Sequence, residues 1–188
     1  MKKKIITIAG KPGSGKSTTA KKLAEELNYS HFSSGDFFRQ VGLDKGLNLM
    51  EVSKVAERDK SIDELVDQKV RDVGEGENII AESRLAFHWI PDSFKVYLEL
   101  DVETSAERMF ADLKNNPSRK ASEDFNSVEE MKSALLVRLE SEKKRYKEMY
   151  DVNPQDLNQY DLVINTKGNS IEKVSEEIKN AYESWLLI

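Results

Sequence analysis

Residues 10–18 read G-K-P-G-S-G-K-S-T, and this stretch is the strongest indication of the fold. It follows a short, nearly continuous apolar run at residues 4–9, typical of a strand buried on both faces of a parallel sheet. A helical pattern follows at residues 17–27, where apolar side chains recur at three- and four-residue steps. Glycines let backbone N–H groups turn inward between strand and helix, and the helix N-terminus adds partial positive charge. The stretch therefore predicts a loop that holds phosphate groups.

The spacing G-x-x-x-x-G-K-S is that of a loop which binds nucleoside triphosphates, placed here between a strand and a helix as such a loop requires. In this pattern the Lys16 ammonium reaches the β and γ phosphates, and the Ser17 hydroxyl ligates Mg²⁺. The predicted phosphate-binding residues are Gly10, Lys11, Pro12, Gly13, Ser14, Gly15, Lys16, Ser17 and Thr18.

Further along the chain, short apolar runs alternate with amphipathic helical patterns. The predicted strands are residues 4–9, 30–33, 78–82, 95–100 and 161–165. The predicted helices are residues 17–27, a segment from about 35, and residues 62–73, 103–113, 128–149 and 170–187. This alternation predicts an α/β fold, with a parallel sheet, helices on both faces and right-handed crossovers. The polar stretch 114–126, interrupted by Pro117, is predicted to be a mobile loop.

Length and composition exclude several classes of protein. A chain of 188 residues favours one domain. Its 29 Lys and Arg against 34 Asp and Glu give a net charge of −5, whereas a nucleic-acid-binding protein normally has a basic excess. The absence of cysteine excludes a disulfide scaffold and a thiol nucleophile, and the apolar run after the basic start is too short for a signal peptide or membrane span. We therefore expect a cytoplasmic protein with neither nucleic acid nor membrane as partner.

Two predicted strands end in groups that a second anionic substrate would need. After residues 30–33, Ser34 and Arg39 lie at a helix start, where Arg39 can hold a phosphate; an N-capped surface helix with a solvated arginine is the alternative. Residues 78–82 end at Glu82, whose carboxylate can order Mg²⁺ and its waters, and Arg84 follows in the loop. An ordinary surface pair of Glu82 and Arg84 is the alternative there.

A long helical pattern places charges within an otherwise apolar face. The face consists of Val128, Met131, Leu135, Arg138, Glu142, Arg145 and Met149. Arg138 and Arg145 lie about 10 Å apart along the helix axis, with Glu142 on the turn between them. Because a buried charge needs a partner, this ladder can hold two anionic groups; emergence at the surface as a simple ion pair is the alternative.

Among proteins with this loop, a small kinase fits best. N-T-K-G at residues 165–168 does not match the N-K-x-D motif of a GTPase switch, and a motor-type ATPase is normally larger. The small size and internal basic residues favour a phosphotransferase with a small-molecule acceptor. A nucleotide-binding regulator or ATPase without such an acceptor is the alternative from another class.

Five stretches resemble the archaeal-type cytidylate kinases. They are residues 10–18, residues 33–39 (S-S-G-D-F-F-R), residues 79–85 (I-I-A-E-S-R-L), residues 138–150 (R-L-E-S-E-K-K-R-Y-K-E-M-Y) and residues 156–166 (D-L-N-Q-Y-D-L-V-I-N-T). The resemblance implies a P-loop NTPase fold, a three-layer α/β/α sandwich with a five-stranded parallel sheet in the order 2-3-1-4-5. It also implies one nucleoside monophosphate kinase domain over residues 1–188. An acceptor-binding insertion at about 34–76 and a lid at about 112–126 would interrupt a core of residues 1–33, 77–107 and 127–188.

The same resemblance implies a reaction. ATP and CMP or dCMP would give ADP and CDP or dCDP, with Mg²⁺ as the metal. The implied catalytic residues are Lys16, Arg138 and Arg145. The implied acceptor-binding residues are Ser34, Arg39, Arg84 and Glu142, with Glu142 near the phosphates or the sugar. The metal-binding residues are Ser17 and Glu82.

Two features depart from the family pattern, and some assignments stay open. Ser83 stands where the family usually has glycine, and the lid region is longer than usual. The candidate lid contacts to the donor are Arg108, Arg119 and Lys120. UMP, AMP, shikimate or a coenzyme precursor are alternative acceptors. His31 and His88 lack a spaced partner, so we expect packed or solvated roles for them. The apolar residues 185–188 are expected to dock on their own domain, with a dimer patch as the alternative, and we expect a monomer.

Overall fold

The computed structural model describes residues 2–113 and 125–188, which form two compact units. The first unit contains the chain up to Gly35, Asp67–Leu100 and Pro154–Ile188. The second contains Asp36–Val66 and the described part of Asp101–Asn153. The predicted domain boundaries stay a prediction. Most of the predicted lid, including Arg119 and Lys120, and most of the predicted mobile loop lie outside the described residues.

The first unit is built on a five-stranded parallel sheet. Its strands are β1 (Ile5–Gly10), β2 (Ser30–Ser33), β3 (Ile79–Glu82), β4 (Phe94–Glu99) and β5 (Leu162–Asn165). Their order is β2-β3-β1-β4-β5, as the sequence resemblance implied, and every neighbouring pair is parallel. The central strand β1 is buried along its whole length, which explains its nearly continuous apolar sequence. The carboxyl ends of β1 and β3 therefore lie side by side.

Helices cover both faces of this sheet. The helices wholly in the first unit are α1 (Lys16–Leu27), α5 (Ala86–Trp89) and α8 (Ile171–Leu187). On one face, Ile6 and Ile8 of β1 pack with Leu23 of α1 and Ile178 of α8. On the other face, Ile5 packs in a separate cluster that includes residues of α5. This arrangement confirms the predicted three-layer α/β/α architecture.

The C-terminal residues behave in two ways. Trp185 packs beside the core of the first unit, as the docking prediction required. Leu187 is 89% exposed and Ile188 is 98% exposed, so for these two residues that prediction is wrong. The reason is geometric, because α8 runs on past the edge of the apolar cluster. In the described ranges 2–113 and 125–188, no helix combines the length and apolarity that crossing a membrane requires.

The second unit is helical. Its helices are α3 (Leu49–Ala56), α6 (Val102–Leu113) and α7 (Val128–Tyr150), together with most of α2 (Ser34–Asp44) and the start of α4 (Ser61–Gly74). Leu49 and Val52 of α3 pack with Val41 of α2 and Ile62 of α4. A second cluster joins α6 to α7 through Met109 and Met131, among others. The sequence prediction missed α3, whose start is fixed by a capping box between Asn48 and Glu51.

Candidate functional site

The loop after β1 needs glycine at two positions. Gly10 has φ +142°, and a Cβ built there would lie 2.3 Å from the carbonyl oxygen of Leu98 on the neighbouring strand. Gly15 has φ +85° and forms the N-cap of α1 in the left-handed conformation. Both backbone shapes are strained for any other residue. The backbone conformation therefore confirms the tight turn between β1 and α1 that the glycine pattern predicts.

The inside of this loop offers donors that the protein itself leaves unused. Among the described residues, no side chain caps the first turn of α1, and that turn contains no acidic residue. The hydroxyls of Ser14 and Thr19 are buried and have no hydrogen-bond partner in the described structure. Lys16 is buried, and its Nζ donates a 2.7 Å hydrogen bond to the carbonyl oxygen of Lys11 across the loop. A helix N-terminus with a held ammonium group is an anion-binding arrangement that fits nucleotide phosphates.

Ser17 and Glu82, predicted separately as metal-binding residues, meet in the structure. The Ser17 hydroxyl donates a hydrogen bond of 2.8 Å to Glu82 Oε1. Pairing of β1 with β3 brings them together, since Glu82 is the last residue of β3. Glu82 Oε2 is buried and has no hydrogen-bond partner among the described residues. The pair fits a Mg²⁺ ion that takes one hydroxyl ligand and orders its waters on one carboxylate.

The protein environment keeps Glu82 ionised. Burial alone raises the pKa of this carboxyl, which is only 7% exposed. His31, the Lys16 ammonium and the Ser17 hydroxyl act in the opposite direction and bring the pKa of Glu82 down to about 2. Glu82 is therefore ionised at neutral pH and can interact with a bound cation.

His31 is a neighbour of Glu82 that could not be recognised from the sequence. Its Nε2 lies 3.7 Å from Glu82 Oε2, an ion-pair distance that is too long for a hydrogen bond. Parallel pairing sets Ser33 opposite Glu82 and His31 opposite Ile80, so alternation along β2 turns His31 to the same face of the sheet. The missing information was the strand order, because only adjacency of β2 and β3 joins these residues. The expectation of a packed His31 agrees with its burial, but the sequence did not indicate Glu82 as its neighbour.

The described residues provide no all-protein metal cage. No group of three or more His, Cys, Asp or Glu side chains suited to a metal occurs in residues 2–113 and 125–188. A magnesium ion held by Ser17 and Glu82 would therefore depend on phosphate oxygens and water for its other ligands. Magnesium bound with nucleotides has this coordination, because the ion dehydrates reluctantly.

The turn after β3 connects back to the phosphate loop. Arg84 Nη1 donates a 2.6 Å hydrogen bond to the carbonyl oxygen of Gly10. Ser83, the departure from the family pattern, is buried, and its hydroxyl accepts a hydrogen bond of 3.3 Å from the Leu85 N–H. The serine thus closes the turn that carries Arg84. Arg84 therefore binds the start of the phosphate loop. This contact does not match the alternative, in which Arg84 and Glu82 form an ordinary surface pair.

Helix α2 carries the next predicted pair of residues. Ser34 is buried at its first position. The Arg39 side chain is 14% exposed and forms an ion pair with Asp36. Its Nε is buried without a hydrogen-bond partner among the described residues. A solvated Arg39, the alternative interpretation of this segment, does not fit this burial.

The charged face of α7 is buried rather than surface-exposed. Arg138 Nε donates a hydrogen bond of 2.9 Å to Glu142 Oε1, and both side chains are largely buried. Arg145, however, bonds through Nε to Asp63 Oδ2 on α4 at 2.6 Å. Burial lowers the pKa of Arg145, but Asp63, Tyr146 and Glu142 together outweigh it, and the net pKa is raised. The expected ladder is thus two neighbouring ion pairs, and Asp63 is the member that the sequence analysis missed.

Comparison with known proteins gives a consistent family. A profile described as an AAA domain matches residues 9–132. The chain is 37% identical to a cytidylate kinase of Haloarcula marismortui over 96% of its own length and 90% of the relative's. It is 38% identical to a cytidylate kinase of Natronomonas pharaonis, covering 95% of this chain and 90% of that one. Among solved structures, a shikimate kinase from Bacteroides thetaiotaomicron superposes with a TM-score of 0.64 over 95% of this chain and 98% of the other. Its sequence identity to this chain is 15%, so it shows the fold alone.

Proposed function

The chain belongs to the family of the cytidylate kinases, and we propose that it transfers the γ-phosphate of ATP to CMP or dCMP, giving ADP and CDP or dCDP. The observation that carries this proposal is the meeting of Ser17 and Glu82 at the phosphate loop, in a chain that matches cytidylate kinases over nearly its whole length. The phosphate loop supports the binding of a nucleoside triphosphate. The similarity to cytidylate kinases supports CMP or dCMP as the acceptor.

On the donor side, residues 10–18 hold the phosphates of ATP. Lys16 leaves its loop carbonyl and places its ammonium group at the β and γ phosphates. Ser17 and Glu82 would hold Mg²⁺ and its waters, and the ion would supply positive charge beside the transferring phosphate. The unused hydroxyl of Ser14 and the uncapped start of α1 support this assignment.

On the acceptor side, the nucleoside monophosphate is held by arginines and polar groups. The proposed acceptor-binding residues are Ser34, Arg39, Arg84 and Glu142. Arg138 and Arg145 act as catalytic groups on the phosphates. The support is their burial, since an arginine withdrawn from water attracts a phosphate more strongly than a solvated one. Arg108 is the lid candidate that falls within the described residues.

Catalysis by these residues needs no covalent intermediate. The acceptor phosphate oxygen must be aligned with the γ phosphorus of ATP, and the charge on the equatorial oxygens must be stabilised as the bond to ADP breaks. Fixed positive groups act on that charge without reorganising during the reaction. We further propose a cytoplasmic protein that acts on small molecules, supported by the net charge of −5 and the absence of cysteine. We propose that it is a monomer, supported by the packing of Trp185 beside the core of the first unit.

The test is ADP release measured by a coupled assay, with ATP, Mg²⁺ and a panel of acceptors. The panel contains CMP, dCMP, UMP, AMP and shikimate, with a sample lacking acceptor as reference. We expect CMP or dCMP to give the highest kcat/KM and the sample without acceptor to release little ADP. A higher kcat/KM with another acceptor would overturn the cytidylate assignment. Equal release with and without any acceptor would favour the alternative of a regulator or plain ATPase.

A further inference from the structure

The buried Arg145 is the polar centre of the second unit. Its Nε donates to Asp63 Oδ2 at 2.6 Å, and the side chains of both residues are only 5% exposed. Its Nη1 donates to the Ser141 hydroxyl at 2.7 Å and to the Ser53 carbonyl oxygen at 3.4 Å. These partners lie on α4, α7 and α3. One guanidinium group therefore fixes three helices relative to one another.

One edge of this guanidinium remains for a ligand. Nε and Nη1 make the hydrogen bonds given above, while Nη2 makes none to any residue within 2–113 and 125–188. Arg145 carries five N–H donors in a rigid fork, so fixing two nitrogens also fixes the direction of the third. The orientation of Nη2 thus follows from the bond to Asp63.

The neighbouring charges explain why Asp63 is needed. Glu142 lies on α7 one turn before Arg145 and already accepts a hydrogen bond from Arg138. Without the Asp63 carboxylate, Arg145 would have to pair with Glu142. Arg138 and Arg145 would then compete for the Glu142 carboxylate. A buried charge that loses its partner reorganises or becomes strongly destabilising. Asp63 therefore keeps two ion pairs separate, one with each arginine.

We infer that Asp63 is a positioning residue for the acceptor nucleotide, holding Arg145 so that Nη2 is presented to the acceptor phosphate. This inference rests on the proposed function. A purely structural role for Asp63 would change the affinities for both substrates. A positioning role changes the affinity for the acceptor selectively.

The experiment compares Asp63→Asn with wild type in the full chain. Asparagine keeps the size and one acceptor oxygen but removes the charge. At metal sites, losing a group that orients a ligand costs about 10–100-fold, and we expect a similar fall in kcat/KM for CMP. The KM for ATP should change by less than about twofold, and binding of CMP alone, measured by calorimetry, should weaken in parallel. The matched control is Glu64→Gln, an exposed neighbour on α4, which should leave all of these values at wild-type level.

A second variant covers the case in which Asp63→Asn does not fold. Asp63→Glu keeps the charge but moves the carboxylate by one methylene, and it should lower kcat/KM for CMP with the KM for ATP retained. If a folded Asp63 variant turns over CMP like wild type, or loses ATP and CMP affinity equally, the inference is overturned. Failure of the proposed function is a separate result, since wild type itself would then not phosphorylate CMP.

Discussion

Replacing Glu82 by glutamine removes the charge that lies beside the Ser17 hydroxyl and the Lys16 ammonium. The pKa of Glu82 is about 2 in the folded protein, against an ordinary value of 4.5. This lowering of the pKa corresponds to about 3 kcal/mol of folding free energy. Because the folded pKa is depressed, the contribution is fully present above pH 4.5 and is lost as the pH falls towards 2.

The measurement is the free energy of unfolding in urea at pH 6 and at pH 3, without nucleotide or magnesium. Linkage gives a loss of about 2 kcal/mol from Glu82 alone between these two pH values. Wild type should therefore lose about 2 kcal/mol more than Glu82→Gln, in which position 82 does not titrate. Glu64→Gln, with its exposed side chain, should follow wild type. If wild type and Glu82→Gln lose stability in parallel, the described environment of Glu82 is wrong.

Three further substitutions test the loop and the acceptor residues. Lys16→Ala should lower kcat by about 100-fold or more while circular dichroism shows a folded protein, because a fixed charge on the transferring phosphate is lost; near-normal turnover would remove Lys16 from the catalytic group. Arg138→Ala should lower kcat/KM for CMP by roughly 100-fold in the coupled assay, and an unchanged value would mean that Arg138 does not contact the acceptor. Gly10→Ala should reduce the free energy of unfolding by about 3 kcal/mol, since its Cβ would lie 2.3 Å from the Leu98 carbonyl oxygen at a strained φ; wild-type stability in urea would contradict this geometry.

The sheet and the phosphate loop could be predicted because each carries a local signal. The buried strand β1 reads as a nearly continuous apolar run, and the glycines that follow mark a tight turn into a helix. The order of the strands came from the family resemblance, since periodicity alone does not say which strands are neighbours. Once that order is given, Ser17 and Glu82 are expected at the same edge of the sheet, where the structure places them.

The polar contacts between distant segments could not be predicted. Asp63 and Arg145 are 82 positions apart, and helical periodicity indicates which apolar positions are buried without saying which carboxylate pairs with a buried arginine. From the sequence, Glu142 is therefore the only carboxylate that can be assigned to the charged face of α7. Helix α3 was missed for a different reason, because it is only eight residues long, although its capping box, Asn48 with Glu51, was a readable signal.

A crystal structure with a non-hydrolysable ATP analogue, Mg²⁺ and CMP bound together would test directly whether the two nucleotides meet at these residues. We expect the analogue phosphates on the N–H groups of residues 10–18, with Lys16 at the γ-phosphate and Ser17 at the metal. We also expect the CMP phosphate within hydrogen-bond distance of Arg138 and of Arg145 Nη2. A structure in which these arginines contact neither ligand, with CMP bound elsewhere, would contradict this expectation.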